Sequence, residues 1–212
     1  INETTFYPSK GKERLKSMIE TRPDWCVSRQ RVWGVPLPIF VNKKTKEILV
    51  EDELFENIAK IYEKEGSDCW FSDDPQKFLG KKHKADDFDK LSDIVEVWFD
   101  SGSTHSFVLE KREDLKWPAS MYLEGSDQHR GWFHSSLLES CGTRGKAPFE
   151  SILSHGFVVD GKGLKMSKSL GNVIAPEDIL KKYGADILRI WVASSNYAED
   201  LRIDYSILDQ HS

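Results

Sequence analysis

The chain has 212 residues, of which 39% are hydrophobic and 31% are charged. This is the composition of a globular protein with room for one substantial core. No apolar run reaches the roughly 20 residues needed to cross a bilayer, so we expect no membrane partner. The net charge of −5 disfavours nucleic-acid binding through overall charge, and any RNA contact would need a local basic patch.

The three cysteines, Cys26, Cys69 and Cys141, are far apart and odd in number. They form neither a Cys-x-x-Cys metal motif nor a plausible disulfide framework. A metal site would have to recruit Cys69 together with His83, whose spacing is not diagnostic of a metal. We therefore expect no metal-binding residues. We also expect buried, unreactive thiols in a cytoplasmic protein, where thiols stay reduced.

The chain opens without a methionine, so we expect it to be part of a longer one. The apolar spacing of residues 12–19 predicts a helix on a charged background. Residues 28–40 are then dense in arginine, tryptophan and proline. They fit an edge strand bounded by prolines, with Trp33 in the core. They also fit a basic and aromatic surface where Arg29 and Arg31 meet phosphate.

Residues 42–92 are more charged and richer in turn residues than the flanking segments. They predict a small inserted α+β module with no recognisable set of catalytic residues. Within it, residues 42–46 predict a hairpin turn, and residues 54–65 have the apolar spacing of an amphipathic helix. Residues 94–99 then predict a buried strand that ends in an Asp-Ser-Gly-Ser run. The carboxyl end of such a strand is where open α/β sheets place ligands, although the run also fits an ordinary turn.

A strand–turn–helix unit is predicted next. A short apolar strand ends in a turn at Gly125, and a helix opens directly after it, at Ser126 or Asp127, and continues to residue 142. Glycine lets the backbone approach a ligand closely, and a helix N-terminus favours negative charge. The carboxylates of Glu124 and Asp127 fit the hydroxyls of a ribose or an amino group.

The same unit also fits purely structural roles. Asp127 would then only cap the helix, and Glu124 would only pair with Arg130. Trp132 would only pack in the core. His129 on its own is more typical of a structural histidine than of a catalytic one.

Residues 148–158 predict a further strand, which ends in His155 and Gly156. The glycine permits close approach of a planar base, so His155 and Phe157 fit on either side of adenine. The alternative is a strand-end histidine that faces solvent.

A lysine-rich loop, Lys165-Met-Ser-Lys168-Ser, follows two β-branched residues and an Asp-Gly turn signal. Its ammonium groups and hydroxyls suit a polyphosphate, although such a loop also fits a solvated surface turn. Helices are predicted over residues 176–183 and 185–194, with a hinge at Gly184. Another helix is predicted to begin within residues 204–212 and to run on beyond them. The buried stripe of the two complete helices is predicted to contain Leu180, Ile187, Leu188 and Trp191.

Four separated blocks share one resemblance, residues 25–34, 97–103, 123–133 and 165–172. In this order they resemble class I aminoacyl-tRNA synthetases. The block Glu-Gly-Ser-Asp-Gln-His-Arg-Gly-Trp-Phe resembles, within that class, the isoleucyl-tRNA synthetase family of bacterial type. The resemblance covers most of the chain, and the predicted module fits it least.

The resemblance implies an α/β fold, namely the second half of a Rossmann-like class I catalytic domain, with a parallel sheet and helices and the small α+β module inserted. It also implies a division of the chain. The parts are the exit of an editing insertion (1–20), the catalytic half (21–41 and 93–195), the inserted module (42–92), and the start of a connection to an anticodon-binding region (196–212).

The resemblance implies roles around one ligand, isoleucyl-adenylate. Glu124 and Gly125 would contact it, with Asp127 and Gln128 near its ribose or carbonyl. Activation of isoleucine by ATP and transfer to tRNA(Ile) would be the reaction, with Mg²⁺ accompanying ATP.

Further residues would surround the same ligand. Trp98 and Trp132 would wall the isoleucine side chain. His155 and Phe157 would flank adenine. Lys168, helped by Lys165, would neutralise the ATP phosphates as the catalytic cations. The resemblance also implies a monomer.

One departure from the family pattern stands out. Class I synthetases also carry a His-x-Gly-His motif, which none of the six histidines of this chain forms. We therefore expect the chain to carry half of an active site, to bind ATP or adenylate weakly, and not to charge tRNA by itself. Two alternatives stay open. One is a non-catalytic nucleotide- or RNA-binding module, and the other is a nucleotidyltransferase acting on a different small molecule.

Overall fold

A computed structural model describes residues 1–212. Its strands are β1 (Thr5–Tyr7), β2 (Ser28–Arg29), β3 (Phe40–Asn42), β4 (Phe88–Lys90), β5 (Ile94–Val95), β6 (Tyr122–Gly125), β7 (Ser151–His155), β8 (Val158–Asp160) and β9 (Leu201–Ile203). Its α-helices are α1 (Lys10–Glu20), α2 (Asp52–Glu65), α3 (Cys69–Ser72), α4 (Pro75–Leu79), α5 (Val97–Gly102), α6 (Trp132–Arg144), α7 (Pro176–Tyr183), α8 (Ala185–Ser194) and α9 (Tyr205–Asp209). Shorter 3₁₀ turns cover Ala85–Asp87, Ser126–Arg130 and Lys168–Leu170, and a π-helical turn covers His105–Leu109. None of the helices is long and apolar enough to cross a membrane.

The chain divides into two compact units, of which the first comprises residues 1–22 and 104–212. Its central sheet has the order β1-β7-β6, and all three strands are parallel. The central strand places Ile152 opposite both Phe6 and Tyr122. Parallel neighbours need crossover connections, which here include the helices that pack on the sheet. This confirms the predicted α/β class.

Two helices share one hydrophobic core with the sheet. Leu15 of α1 and Phe133 of α6 are fully buried, as is Ile152 of β7. The other buried members of the core are Phe6, Tyr122, Leu137 and Phe149. Residues 1–20, assigned by resemblance to the exit of an insertion, thus contribute a strand and a helix to this core.

The first unit also contains a second cluster, built from β9, α7, α8 and α9, and β9 pairs in parallel with β8. Its buried side chains are Ile179, Trp191, Ile203 and Leu208. Helix α7 begins at Pro176, as predicted, because proline suits the first helical position, and it ends before Gly184, whose φ is 82°. The predicted stripe was wrong at Leu180, which is exposed, because the neighbouring Ile179 faces the cluster instead. Helix α9 ends within the chain, at Asp209, and does not run on as predicted.

The second unit comprises residues 23–103. Its core surrounds the fully buried Trp70, with Phe40, Leu54, Ile58, Cys69, Phe78 and Leu79. The amphipathic helix predicted over residues 54–65 is present as α2. The hairpin turn is present too, since the amide of Asn42 donates to the carbonyl of Glu47 and Val41 bridges Ile48. Residues 23–41 and 93–103, assigned by resemblance to the catalytic half, cluster with this unit.

The strand predicted over residues 94–99 is wrong beyond Val95. From Val97 the chain is helical, because the carboxylate of Glu96 accepts a hydrogen bond from the amide of Trp98 at 3.2 Å and so caps α5. The Asp-Ser-Gly run therefore lies in α5 instead of at a strand end. A local cap outweighs the β-propensity of this apolar run.

The edge strand predicted over residues 28–40 is reduced to the two residues of β2. Trp33 is 92% exposed, so its predicted place in the core is wrong. Prolines nearby donate no ladder hydrogen bonds, which limits strand formation. The Arg29 guanidinium donates to the carbonyls of Cys26 and Ser28 at 2.6 and 2.8 Å, and thus has a structural role in this turn.

The predicted burial of the cysteines is correct for Cys69 and wrong for Cys26 and Cys141, which are exposed. Burial raises the pKa of the Cys69 thiol. Hydrogen bonding between the Cys26 thiol and the Ser28 hydroxyl lowers the pKa of this thiol. All three are free thiols.

Substitution of Gly11 tests the close packing of α1. A Cβ at this buried position would lie 3.0 Å from His129 Nε2 and 3.4 Å from the Phe6 ring. We expect Gly11→Ala to lower the free energy of unfolding by about 1 kcal/mol, because overpacking outweighs the gain in helix propensity. The matched control is Gly142→Ala in α6, where a Cβ meets nothing within 4 Å, and it should raise stability by about 0.5 kcal/mol. Urea denaturation measures both, and equal gains in the two variants would contradict the tight contact.

Candidate active site

Two neighbouring parallel strands bring predicted site residues to one edge of the sheet. In the register of β6 and β7, Glu124 lies opposite Ser154 and Gly125 lies opposite His155. Both strands end at this point. Because parallel strands share one carboxyl edge, Glu124, Gly125 and His155 lie together where open α/β sheets place ligands.

Gly125 is the position on this edge where neighbouring side chains come closest to the backbone. A Cβ at Gly125 would lie 2.6 Å from Asp127 Oδ1 and 3.5 Å from the ring of Phe157. The missing side chain therefore lets the carboxylate and the aromatic ring approach the backbone from two sides. Four predicted residues, Gly125, Asp127, His155 and Phe157, are thus brought into one neighbourhood.

The segment after Gly125 differs from the continuous helix that was predicted. Residues Ser126–Arg130 form a 3₁₀ turn, and Gly131 (φ −128°, ψ −116°) separates it from α6. Asp127 makes no capping hydrogen bond, and no ion pair joins Glu124 to Arg130. The carboxylates of Asp127 and Glu124 therefore do not have the structural roles, capping and ion pairing, that the sequence also allowed.

Gln128 does have a structural role. Its Oε1 accepts a hydrogen bond from the amide of Trp132 at 2.9 Å, which satisfies a donor at the start of α6. Its Nε2 donates to Asp127 Oδ2 at 3.2 Å. Gln128 thus links the exposed carboxylate to the helix.

The two tryptophans of the predicted amino-acid pocket lie in different units. Trp132, in the first, stacks on Tyr122 with centroids 4.0 Å apart and planes 7° apart. Trp98, in the second, lies on α5 and is 41% exposed. Burial raises the pKa of the Tyr122 phenol, whose hydroxyl lies 3.1 Å from Ser136 Oγ. The packing role that the sequence allowed for Trp132 is present.

His129 is a structural histidine. It is 1% exposed, and its Nδ1 donates to the carbonyl of Ser126 at 2.8 Å. That bond leaves Nε2 as the unprotonated nitrogen, buried without a partner against Gly11. Burial lowers the pKa of this imidazole, which keeps it neutral. His129 therefore stabilises the turn, and its buried ring is not placed to exchange a proton with a ligand.

The end of β7 is held by residues from far along the chain. The amide of Phe157 donates to Asp200 Oδ1 at 2.8 Å, and its carbonyl accepts from the amide of Leu201 at 2.8 Å. Gly156 lies so close to residue 199 that a Cβ would be 2.3 Å from the carbonyl of Glu199. Phe157 is thereby fixed in its backbone while its ring stays 47% exposed.

The lysine loop belongs to the same unit and follows β8. Lys165 and Lys168 are exposed, and neither forms an ion pair. The predicted hairpin is present in part, because Val159 bridges Lys165 in antiparallel fashion. Met166 packs against the cluster of α7, α8 and α9. Two free ammonium groups are thus available to an anion.

Hydrogen bonds from Asn172 and from the amides of Leu164 and Lys162 lower the pKa of the Asp160 carboxyl. This carboxyl is therefore ionised at neutral pH at the base of the lysine loop. The positive charge of Lys162 also lowers this pKa, and Asp160 contributes a fixed negative charge at that point.

A cleft of about 440 Å³ adjoins the same edge and carries residues that the sequence did not single out. Ser126 and Gly156 line it on the sheet side, and Lys10, Arg14 and Arg202 supply cations. These cations come from α1 and β9, which are distant in sequence, so no local pattern marks them. Lys10 is paired with Glu199 at 3.1 Å. No group of three or more His, Cys, Asp or Glu side chains lies close enough together to hold a metal ion.

A family model described as tRNA synthetases class I (I, L, M and V) matches residues 1–204. The chain therefore belongs to this family. It is 85% identical over all 212 residues to an isoleucine–tRNA ligase of Pelagibacter ubique, and 54% identical over 215 aligned residues, 99% of the chain, to one of Caldicellulosiruptor saccharolyticus. The chain spans 23% of the length of each of these relatives.

Solved structures show the same fold at lower identity. A leucyl-tRNA synthetase complex of Agrobacterium radiobacter gives a TM-score of 0.63 at 21% identity, over 92% of this chain and 28% of that one. A methionyl-tRNA synthetase of Mycobacterium tuberculosis with methionyl-adenylate gives 0.62 at 18% identity, over 99% and 33%. These likenesses support the Rossmann-like class I catalytic fold that the sequence resemblance implied.

Two substitutions at Gln128 test its capping role. Gln128→Ala removes the acceptor for the Trp132 amide, and we expect the free energy of unfolding to fall by about 1 kcal/mol. Gln128→Glu keeps an acceptor at the positive end of α6, and stability should stay within about 0.5 kcal/mol of the unsubstituted chain. Denaturant unfolding of both variants checks this. A Gln128→Ala variant as stable as Gln128→Glu would show that the cap is unimportant.

Proposed function

We propose that this chain forms the part of a longer enzyme that binds the aminoacyl-adenylate and the departing phosphates of ATP. The enzyme would activate isoleucine with ATP and transfer it to tRNA(Ile). One observation carries the proposal most directly. Adjacent parallel strands bring Glu124, Gly125 and His155 to one edge, with the Phe157 ring beside Gly125. The choice of isoleucine and tRNA(Ile) as substrates rests on the relatives named isoleucine–tRNA ligase.

At that edge Glu124 and Asp127 would hold the polar groups of the adenylate, namely its ribose hydroxyls and amino group. Gly125 would let the nucleotide lie against the backbone. His155 and Phe157 would flank adenine. The geometry of Phe157 supports its role, because its backbone is held by a hydrogen bond to Asp200 while its ring is exposed.

Trp98 and Trp132 would bound the isoleucine side chain. For Trp132 the support is its stacking on Tyr122, which fixes the plane of the indole. An indole face offers a large apolar surface to an aliphatic group. Gln128 would lie beside the ribose while it caps α6.

The reaction would be in-line attack by the isoleucine carboxylate on the α-phosphorus of ATP, with pyrophosphate as the leaving group. It needs no protein nucleophile. Catalysis would depend on holding the reactants together and on offsetting charge that grows on the departing phosphates. Lys168, helped by Lys165, would supply that positive charge, which fits their exposed and unpaired state.

Mg²⁺ would accompany ATP. The ion would be held chiefly by phosphate oxygens and water. The cations Lys10, Arg14 and Arg202 of the adjoining cleft would provide the local basic surface that an overall charge of −5 does not.

Further expectations belong to the whole protein. We propose a cytoplasmic location, which three free thiols fit, and a monomeric state. Residues 1–20 would follow an editing insertion, and residues 196–212 would lead towards an anticodon-binding region. Residues 42–92 would be an insertion without a catalytic role, as their separate core suggests.

A full-length chimera tests the proposal. The chain replaces the matching segment of the Pelagibacter ubique relative, to which it is 85% identical. We expect isoleucine-dependent ATP–pyrophosphate exchange at a rate within about threefold of the unmodified relative, because the two segments share the same site. A folded chimera without exchange, or with exchange driven equally by other amino acids, would contradict the proposal.

In the same chimera, Lys168→Ala should lower kcat for exchange by at least about 100-fold and leave KM for isoleucine within about threefold, because its charge partner develops mainly in the transition state. Lys181→Ala on α7 is the matched control and should change neither constant. Equal losses in kcat and in isoleucine affinity would count against the role of Lys168.

The isolated 212-residue chain should show no exchange, because it lacks the His-x-Gly-His motif. It should still bind a non-hydrolysable isoleucyl-adenylate analogue weakly, in a calorimetric titration. Robust exchange by the isolated chain would show that it is not half of an active site.

A further inference from the structure

Two side chains cross the base of the lysine loop. Asn172 Nδ2 donates to Asp160 Oδ2 at 2.8 Å and to the carbonyl of Lys165 at 3.3 Å. Asn172 Oδ1 accepts from the amide of Ser167 at 2.9 Å. One amide side chain thus joins the end of the loop to its beginning and to its middle.

Asp160 is the second side chain that holds the base of the lysine loop. Asp160 Oδ1 accepts from the amides of Leu164 and Lys162, at 2.8 and 3.0 Å. Both oxygens of Asp160 and both polar atoms of Asn172 are therefore used within residues 160–172. We call Asp160 and Asn172 the loop clamp.

Apolar packing contributes little to the shape of this loop. Leu164 is 55% exposed and Leu170 is 66% exposed, whereas Met166 packs on the neighbouring cluster. The backbone bridge between Val159 and Lys165 fixes the first half of the loop. The second half is tied back to β8 through Asn172 and Asp160.

We propose that Asp160 and Asn172 are positioning residues that hold Lys165 and Lys168 in the conformation needed when the pyrophosphate leaves. This inference rests on the proposed function. A loop that is already ordered loses less conformational freedom in the transition state, so the clamp should act on kcat. It should not act on KM for isoleucine, because neither residue belongs to the pocket proposed for the isoleucine side chain.

Exchanging the two residues reverses the direction of the hydrogen bond between them. In Asp160→Asn the single side-chain oxygen can accept from the amides of Leu164 and Lys162 or from Asn172 Nδ2, but not from both sides, so two donors face each other at one of these contacts. Asn172→Asp alone places two carboxylates face to face. In the double variant the new amide at 160 donates to the new carboxylate at 172. The clamp is thus broken in each single variant and restored in the double variant, with the contact to the Lys165 carbonyl lost.

In the full-length chimera, each single variant should lower kcat for exchange about tenfold, equivalent to about 1.4 kcal/mol in the barrier. The double variant should return to within about threefold of the unsubstituted chimera, with KM for isoleucine unchanged throughout. Asp186→Asn on α8, an exposed carboxylate paired with Arg189, is the matched control and should change neither constant. A double variant no better than the single variants, or single variants with unchanged kcat, would overturn the proposal.

Hydrogen exchange on the isolated 212-residue chain separates this proposal from the proposed function. The amides of Ser167 and Leu164 should exchange about tenfold faster in the single variants and recover in the double variant, while amides of β6 and β7 stay unchanged. If the unsubstituted chimera is inactive, the proposed function fails and the catalytic role of the clamp fails with it. Unchanged exchange at Ser167 in both single variants would show that the clamp does not hold the loop, whatever the activity.

Discussion

The parallel pairing of β6 with β7 is the constraint on which the candidate site depends. It makes Gly125 and His155 direct neighbours at the point where both strands end. Each strand alone would end in an unremarkable turn. Together they create an edge where a carboxylate, a bare stretch of backbone and an aromatic ring meet, because Gly125 has no side chain to keep Asp127 and Phe157 apart.

The residues around that edge are held by groups that do not face it. His129 lies beneath the turn, bonded to the carbonyl of Ser126 and pressed against α1. Gln128 joins the turn to α6. On the other strand, residues 199–201 fix the backbone of Phe157. Of the side chains that could bind a ligand, Asp127 and Phe157 are exposed and Glu124 and His155 are half-buried. The side chains that position them are buried or hydrogen-bonded. This division is typical of preorganised sites.

The sequence predicted much of this arrangement and missed parts for identifiable reasons. The strand ends at Gly125 and His155 and the start of α7 at Pro176 follow local rules that tertiary contacts support. The strand predicted through Phe99 failed because one carboxylate, that of Glu96, caps a helix within an apolar run. One of the two interpretations of residues 28–40 placed Trp33 in the core, yet this side chain lies on the surface. Arg202 could not be found from sequence because the cleft it lines is assembled from distant segments.

In the proposed function one ligand contacts the ends of both β6 and β7 at once. The most direct measurement is an amide NMR titration of the 212-residue chain with a non-hydrolysable isoleucyl-adenylate analogue. We expect the signals of Gly125, Gly156 and Phe157 to shift together along one binding curve, with the signals of the β3–β4 pair unmoved. Shifts confined to one of the two strand ends, or separate curves for Gly125 and Phe157, would contradict it.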